Sequence, residues 1–135
     1  MLDNVSFLYV ENDPASRQVM ELMMKKAMRI RNLAIFEDSR DFLARVKTLH
    51  PRPDVILLDT HMQPYDGFEM LRMIRNDREL MGAKVIALTA SVMNEEVDEL
   101  RRNGFNGTIS KPLSVTVFPS LMERIVAGEA VWHIS

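Results

Sequence analysis

The chain of 135 residues is long enough to bury one hydrophobic core and too short for two ordinary domains. Its 47% hydrophobic and 27% charged residues are typical of a globular protein, and a net charge of -2 does not indicate a nucleic-acid-binding surface. It has no cysteine, which excludes disulfides and thiolate metal sites. No stretch resembles a signal peptide or a membrane span. We therefore expect a cytoplasmic protein that contacts neither membrane nor nucleic acid.

The first half of the chain alternates strand and helix patterns. The predicted strands cover residues 5–10, 33–37 and Val55–Asp59, and the predicted helices cover residues 14–28 and 38–49. Asp13 and Pro14 are typical of a helix start, as cap and first helical residue. Asp38 or Ser39 is expected to cap the second helix. The run of four apolar residues before Asp59 predicts a strand buried on both faces of a parallel sheet.

The second half continues the alternation. The predicted strands are residues 85–88 and 107–110. Three helices are predicted: the third starts after Gly67, the fourth ends at Gly104, and the fifth runs from residue 116 or 117 to 127. The apolar residues at helical spacing are Phe68, Leu71 and Ile74 in the first of these helices and Met93, Val97 and Leu100 in the second. Pro119 must lie near the start of the last helix, because proline cannot occupy a helix interior.

Five strands alternating with five helices predict a parallel sheet with helices on both faces. The flavodoxin-like strand order 2-1-3-4-5 suits this count. We expect one α/β domain over residues 1–127 and a short tail over residues 128–135, which Trp132 packs onto the domain.

Polar side chains follow several predicted strands at the same edge of this sheet. Glu11 and Asn12 follow the first strand and Asp59 ends the third, on either side of the topological switch point. Thr89 and Lys111 follow the fourth and fifth strands. The sequence therefore predicts one crevice that these five residues share.

The order of these marks resembles a bacterial response-regulator receiver domain over nearly all of the chain, and we expect a single-domain, CheY-like member. The marks are the acidic turn after the first strand, Asp59 followed by Met62, and the pairs Asp66-Gly67, Thr89-Ala90 and Lys111-Pro112.

The resemblance implies that Asp59 accepts a phosphoryl group from a sensor histidine kinase or a histidine phosphotransfer protein. It implies a Mg²⁺ site formed by Glu11, Asn12, Asp59 and the backbone carbonyl of His61. Lys111 would pair with a phosphoryl oxygen, and the Thr89 hydroxyl would bond another as a switch. The Lys111-Pro112 bond is a candidate for the cis form. The resemblance also implies that the domain is not an enzyme and catalyses only its own phosphorylation and dephosphorylation.

Three positions depart from the family pattern. Asn12 stands where a second carboxylate is usual, and Asp13 is displaced to the helix cap. Gln63 stands where a proline is usual, with Pro64 one residue later. Thr108 stands where an aromatic switch residue is usual, so we expect the signal to travel through the loop from Thr89 and the fourth helix.

Partner contacts are expected on the first helix. On a helical wheel, Leu22, Met24 and Met28 fall away from the arc that holds Met20 and Met23. We therefore predict that these three residues are partly exposed and help to dock the kinase or phosphotransfer partner. A downstream protein target is also expected, and the chain is expected to be a monomer or a weak dimer.

Three other classes of protein share parts of this pattern. An aspartyl-phosphate hydrolase needs a second aspartate two residues after the nucleophile, and that position is His61. A flavodoxin-type flavin binder needs a hydroxyl-rich phosphate loop after the first strand, where Glu11 would repel the phosphate. A degenerate receiver that binds partners without phosphorylation is the alternative that Asn12 keeps open.

Overall fold

The computed structural model describes residues 2–90 and 93–133, and they form a parallel sheet flanked by helices. The strands are β1 (Ser6–Val10), β2 (Asn32–Phe36), β3 (Val55–Asp59), β4 (Lys84–Thr89), β5 (Gly107–Ser110) and β6 (Val131–His133). The α-helices are α1 (Pro14–Leu22), α2 (Phe42–Val46), α3 (Gly67–Arg75), α4 (Asn94–Asn103) and α5 (Phe118–Val126). The strand order is β2-β1-β3-β4-β5-β6, so the predicted order 2-1-3-4-5 is confirmed and a sixth strand is added.

The core lies on both faces of the sheet, because successive strand residues point to opposite sides. Leu8, Ile56 and Leu58 face α2, α3 and the buried side of α4. Phe7 and Leu57 face α1 and α5. All five residues of β3 are buried, as predicted for a strand covered on both faces.

The ends of the later helices follow their predicted signals. Asp66 accepts from the Glu69 amide and the Glu69 side chain accepts from the Asp66 amide, a reciprocal cap that starts α3. Gly104 ends α4 in the left-handed conformation (φ 100°), which glycine adopts without steric cost. Pro119 lies in the first turn of α5.

The predicted start of the second helix is wrong. The expected helix over residues 38–49 is only Phe42–Val46, and Asp41 precedes it in a left-handed conformation (φ 49°) with no side-chain cap. Ser39 does not cap it, because its hydroxyl is hydrogen-bonded to the backbone of Tyr65, 26 residues away. The long-range contact therefore replaces the local one.

The first helix changes its geometry near its end. After Leu22 the chain forms a wider, π-helical turn over Met23–Ala27, closed by the Met28 amide donating to the Met23 carbonyl at 3.0 Å. Together the two segments run from Pro14 to Ala27, one residue short of the predicted end at residue 28.

The segment after residue 127, which was predicted to be a short tail, contains a sixth strand, β6. β6 pairs with β5 in parallel register, with Thr108 opposite Trp132. Val131 is buried, and the Trp132 ring lies under the Arg101 guanidinium of α4 at 4.6 Å. Trp132 therefore packs against the domain, as predicted, from a position within the sheet. Residues 134 and 135 of the predicted tail lie outside the described residues.

Candidate functional site

The carboxyl ends of four strands bring the predicted site residues together. Val10 is paired with Leu58, so Glu11 and Asp59 leave neighbouring strands side by side. Asp59 is paired with Leu88, and Thr89 is paired with Ser110, which places Lys111 next along β5. The crevice expected from the strand order is therefore present.

Lys111 lies between the two carboxylates. Its Nζ donates to Glu11 Oε1 at 2.7 Å and to Asp59 Oδ2 at 3.1 Å. Partial burial lowers the pKa of Lys111, but the hydrogen bonds and charges of Glu11 and Asp59 outweigh it and raise the pKa above its usual value. The lysine is therefore a fixed positive charge at the end of β5.

Glu11 is 1% exposed, and its carboxylate accepts hydrogen bonds from other residues of the protein. Besides Lys111, the Tyr9 hydroxyl donates to Oε1 at 3.0 Å and the Asp13 amide donates to Oε2 at 3.2 Å. Burial first, and then the Glu11 charge, raise the pKa of Tyr9, which stays a neutral donor. Sequence reasoning missed Tyr9. The signal for it was its place two residues before Glu11, on the same side of the strand.

Asp59 is 7% exposed, and a donor from the described part of the chain binds each of its oxygens. The backbone N–H of His61 donates to Oδ1 at 3.0 Å, and Lys111 donates to Oδ2. The carboxylate is therefore oriented from both sides by groups that also stabilise negative charge.

A cleft of about 570 Å³ opens beside this carboxylate. It is lined by Asn12, Thr60, His61, Met62, Gln63, Asp66, Phe68, Thr89, Glu96, Glu99 and Leu100. His61 and Asn12 are exposed there, whereas Met62 is buried. The cleft thus adjoins Asp59 through the two residues that follow it in the chain, Thr60 and His61.

The acidic turn has the arrangement that its sequence predicts. Asp13 caps α1 by accepting from the Ser16 amide at 3.0 Å and the Ser16 hydroxyl at 2.6 Å. These hydrogen bonds hold the pKa of Asp13 below its usual value. Because Asp13 is occupied at the cap, Asn12 is the residue of this turn that lines the cleft.

The predicted metal ligands are oxygen donors of the kind that a hard cation prefers: two carboxylates, the Asn12 amide oxygen and the His61 backbone carbonyl. Among the described residues, no group of three or more acidic or histidine side chains could hold a metal ion. The predicted set therefore offers Mg²⁺ two carboxylates, Glu11 and Asp59, and both of them bind Lys111.

The loops around the site match one sequence prediction. The Lys111-Pro112 peptide bond is cis, as predicted, and the Gln63-Pro64 bond at the displaced proline is also cis, which was not predicted. Thr108 is buried, and its hydroxyl donates to the Ala87 carbonyl at 3.0 Å. Ser91 and Val92, in the loop predicted to carry the signal from Thr89, lie outside the described residues.

One of the three predicted docking residues is placed wrongly. Leu22 is 51% exposed and Met28 is partly exposed, but Met24 is fully buried. Met24 lies four residues after Met20, so the two share a helix face, and the Ile30 amide bonds the Met24 carbonyl at the end of the wider turn. The helical wheel placed the buried arc too far from Met24.

A buried aspartate in contact with a lysine, beside an acidic turn on a flavodoxin-like sheet, is the arrangement that the sequence resemblance led us to expect. A model of the response regulator receiver domain matches residues 7–123. The chain belongs to the response regulator receiver family.

The chain is 39% identical over 67 residues to the polar-differentiation response regulator DivK of Brucella anthropi, which covers 50% of this chain and 54% of the relative. DivK of Brucella ovis is 38% identical over 66 residues, covering 49% of this chain and 54% of that relative. The chain thus spans about half the length of the curated relatives it matches.

Solved structures show the same fold at low sequence identity. Chemotaxis response regulator CheY4 of Vibrio cholerae superposes with a TM-score of 0.79 at 23% identity, covering 90% of this chain and 98% of that chain. The receiver domain of sensor histidine kinase PA1611 from Pseudomonas aeruginosa, with a magnesium ion in its active site cleft, has a TM-score of 0.79 at 23% identity, covering 92% and 98%. Among the residues that the structure describes, no helix has the length and apolar character needed to cross a membrane.

Proposed function

We propose that Asp59 accepts a phosphoryl group from the phosphohistidine of a sensor kinase or phosphotransfer protein. The observation that carries this is the contact of Lys111 Nζ with the buried Asp59 Oδ2 at 3.1 Å. Thr60 and His61, the next two residues of the chain, line the adjoining cleft. A carboxylate that is buried and held from both sides presents its oxygens in a fixed direction, as a nucleophile requires.

In this step one Asp59 oxygen attacks phosphorus. The new O–P bond forms, the P–N bond breaks, and the imidazole leaves with the bonding electron pair and takes up a proton. Lys111 offsets charge on the phosphoryl oxygens, and Glu11 keeps the lysine in place. The Tyr9 hydroxyl in turn orients Glu11.

Mg²⁺ is the proposed cofactor. Glu11, Asn12, Asp59 and the His61 carbonyl would hold it, and the bound ion supplies positive charge toward the phosphoryl oxygens. The protein's own part is to keep these four oxygen donors within one crevice and to exclude Asp13, which remains on Ser16.

The response to phosphorylation is proposed to begin at Thr89. A phosphoryl group adds about −1.5 to −2 charges and strong acceptors, which the Thr89 hydroxyl would bond. Thr108 is small, buried and bonded to Ala87, so it supplies no movable ring. The change would therefore pass to α4 and alter the binding of a downstream protein.

Docking of the kinase or phosphotransfer protein is proposed at the exposed side of α1 and its last turn, at Leu22 and Met28. Met24 is removed from this proposal because it is core. We further propose a monomer or weak dimer in the cytoplasm that binds neither nucleic acid nor membrane and catalyses no reaction beyond its own phosphorylation.

Incubation with acetyl phosphate and Mg²⁺ tests the acceptor directly. The chain should gain one base-labile phosphate, and Asp59→Asn should abolish it. Asp66→Asn is the matched control, because asparagine also caps a helix and the site carboxylates remain. Labelling that survives Asp59→Asn, or that is lost in Asp66→Asn alone, would overturn the assignment.

A degenerate receiver that binds its partner without phosphorylation is the second candidate. It is favoured by Asn12, which supplies an amide where a carboxylate would hold the metal, and by Glu11, whose oxygens are all bonded internally. The same labelling decides between the two. A wild-type chain that gains no phosphate with or without Mg²⁺, yet binds its partner, would be this second kind.

A further inference from the structure

The loop between β3 and α3, residues 60–66, carries the groups closest to Asp59. Its two ends are tied by the Gly67 amide donating to the Thr60 carbonyl at 3.1 Å, and the Thr60 amide donates to Leu88. These bonds fix where the loop starts and ends. They leave its middle, Gln63 to Tyr65, to be held by something else.

Ser39 holds that middle from a different part of the chain. Its hydroxyl donates to the Tyr65 carbonyl at 2.7 Å and accepts from the Tyr65 amide at 2.8 Å. The Ser39 amide also points to the Gln63 carbonyl, at 3.4 Å. The side chain is 0% exposed, so water cannot replace these bonds without opening the loop.

Ser39 is itself rigidly placed. Asp38 accepts from the Arg40 amide at 3.0 Å and from the Arg45 guanidinium at 3.0 Å. Arg45 also donates to the Arg40 carbonyl at 2.7 Å and lies over the Phe36 ring at 4.1 Å. The hydrogen bonds of its neighbours therefore hold the Ser39 backbone in place in the loop before α2.

We propose that Ser39 is a positioning residue for the phosphoacceptor site: it fixes the loop after Asp59 and thereby the His61 backbone. His61 donates its amide to Asp59 Oδ1 and lies two residues before Gln63. If the middle of the loop is released, the His61 amide and carbonyl lose their fixed direction. The inference rests on the proposed acceptor role of Asp59 for its functional consequence, but its structural part does not.

The test compares Ser39→Ala with Thr108→Ala. Thr108 is the matched control because its buried hydroxyl also donates to a backbone carbonyl, on Ala87, away from this loop. Both variants should lose similar global stability. Only Ser39→Ala should speed hydrogen exchange of the Tyr65 and His61 amides, by about tenfold or more. Only this variant should also slow acetyl-phosphate labelling of the folded protein, by about tenfold, because small misplacements near a reacting group cost this much.

The results separate the positioning role of Ser39 from the acceptor role of Asp59. If exchange at His61 and the labelling rate in Ser39→Ala equal those of Thr108→Ala, the positioning role is wrong and Ser39 only stabilises the fold. If wild type accepts no phosphate, the acceptor proposal fails, and exchange at His61 alone then judges Ser39. Faster exchange at Tyr65 with unchanged His61 would also overturn the inference.

Discussion

The carbonyl oxygen of Val131 occupies the space that a β-carbon on Gly107 would need. Gly107 and Val131 are register partners in β5 and β6, so the close approach belongs to the strand pairing itself. A glycine at this position therefore permits the sixth strand to lie against the strand that ends at Lys111.

Gly107→Ala should displace β6. The new methyl cannot move away, because it meets backbone rather than a flexible side chain, and overpacking of this kind costs about 1–3 kcal/mol. Trp132 is the single tryptophan of the chain, so its fluorescence should shift toward that of a solvent-exposed ring. Gly82→Ala is the control, since nothing lies within 4 Å of its added β-carbon. Unchanged emission in Gly107→Ala would show that β6 adapts.

Met24→Ala and Leu22→Ala should separate core from surface on the first helical segment. Met24 is fully buried, and truncation of such a residue costs about 2–5 kcal/mol, whereas Leu22→Ala should change the free energy of unfolding by about 0.5 kcal/mol or less. Urea unfolding measures both. Similar losses in the two variants would mean that Leu22 is also packed.

Leu22→Glu should slow phosphoryl transfer from the partner while acetyl-phosphate labelling stays unchanged. The reason is that Leu22 is 51% exposed and makes no contribution to the site around Asp59. Lys26→Gln is a control for charge alone, because it also changes the net charge by −1, on an exposed residue of the following turn. A fall in both rates for Leu22→Glu would show a general structural effect and would remove Leu22 from the docking surface.

Lys111→Met should destabilise the fold, because it leaves Glu11 buried without its cation. We expect a loss of roughly 2–3 kcal/mol, less than the about 3–5 kcal/mol of a fully buried pair, since the Lys111 side chain keeps 24% exposure. Lys47→Met, which breaks the contact of a more exposed lysine with Asp77, should cost less.

The pH dependence of this loss has a definite sign. The pKa of Lys111 is raised in the folded state above the ordinary 10.5, so the lysine contributes its full stability below that value. The contribution is lost as pH rises through the folded pKa. The stability difference between wild type and Lys111→Met should thus be constant between about pH 7 and 9 and shrink above about pH 10.5. A difference that grows with pH would contradict the assignment.

Local patterns were sufficient for the strands that bury both faces and for the residues at their ends. β3 was predicted to the residue because a run of four apolar residues ends at a charged one. Glu11, Asp59, Thr89 and Lys111 meet because parallel strands share one edge, which the strand order alone implies.

Features that depend on distant contacts were not predictable from local patterns. Ser39 has the chemistry of a cap, but Tyr65 uses its hydroxyl. β6 is three residues long and is defined by its pairing with β5, to which Gly107 gives access. Met24 was misplaced because the buried face of the first helix centres between Met20 and Met24, four residues apart, while Val19 on the other side of Met20 is exposed.

Asn12→Asp should tighten Mg²⁺ binding. Asn12 is exposed at the cleft, while Asp13 is held by Ser16 at the start of α1, so the variant adds a carboxylate that the wild-type site lacks. A third carboxylate increases the attraction for a hard cation and also increases repulsion of the phosphoryl group. The metal effect should prevail, because a ligand charge at bonding distance outweighs repulsion across several Å. We expect affinity to rise about tenfold, equivalent to about 1.4 kcal/mol.

A Mg²⁺ titration followed by the His61 amide signal measures this change without any phosphodonor. Phosphorylation at limiting Mg²⁺ should also become faster in Asn12→Asp. Asp13→Asn is the control: asparagine keeps the helix cap, so the metal affinity should stay at the wild-type value. Equal or weaker affinity in Asn12→Asp, together with a loss in Asp13→Asn, would mean that Asp13 leaves Ser16 to ligate the ion. In that case the cap seen at α1 would be an alternative to the metal-bound arrangement of the acidic turn.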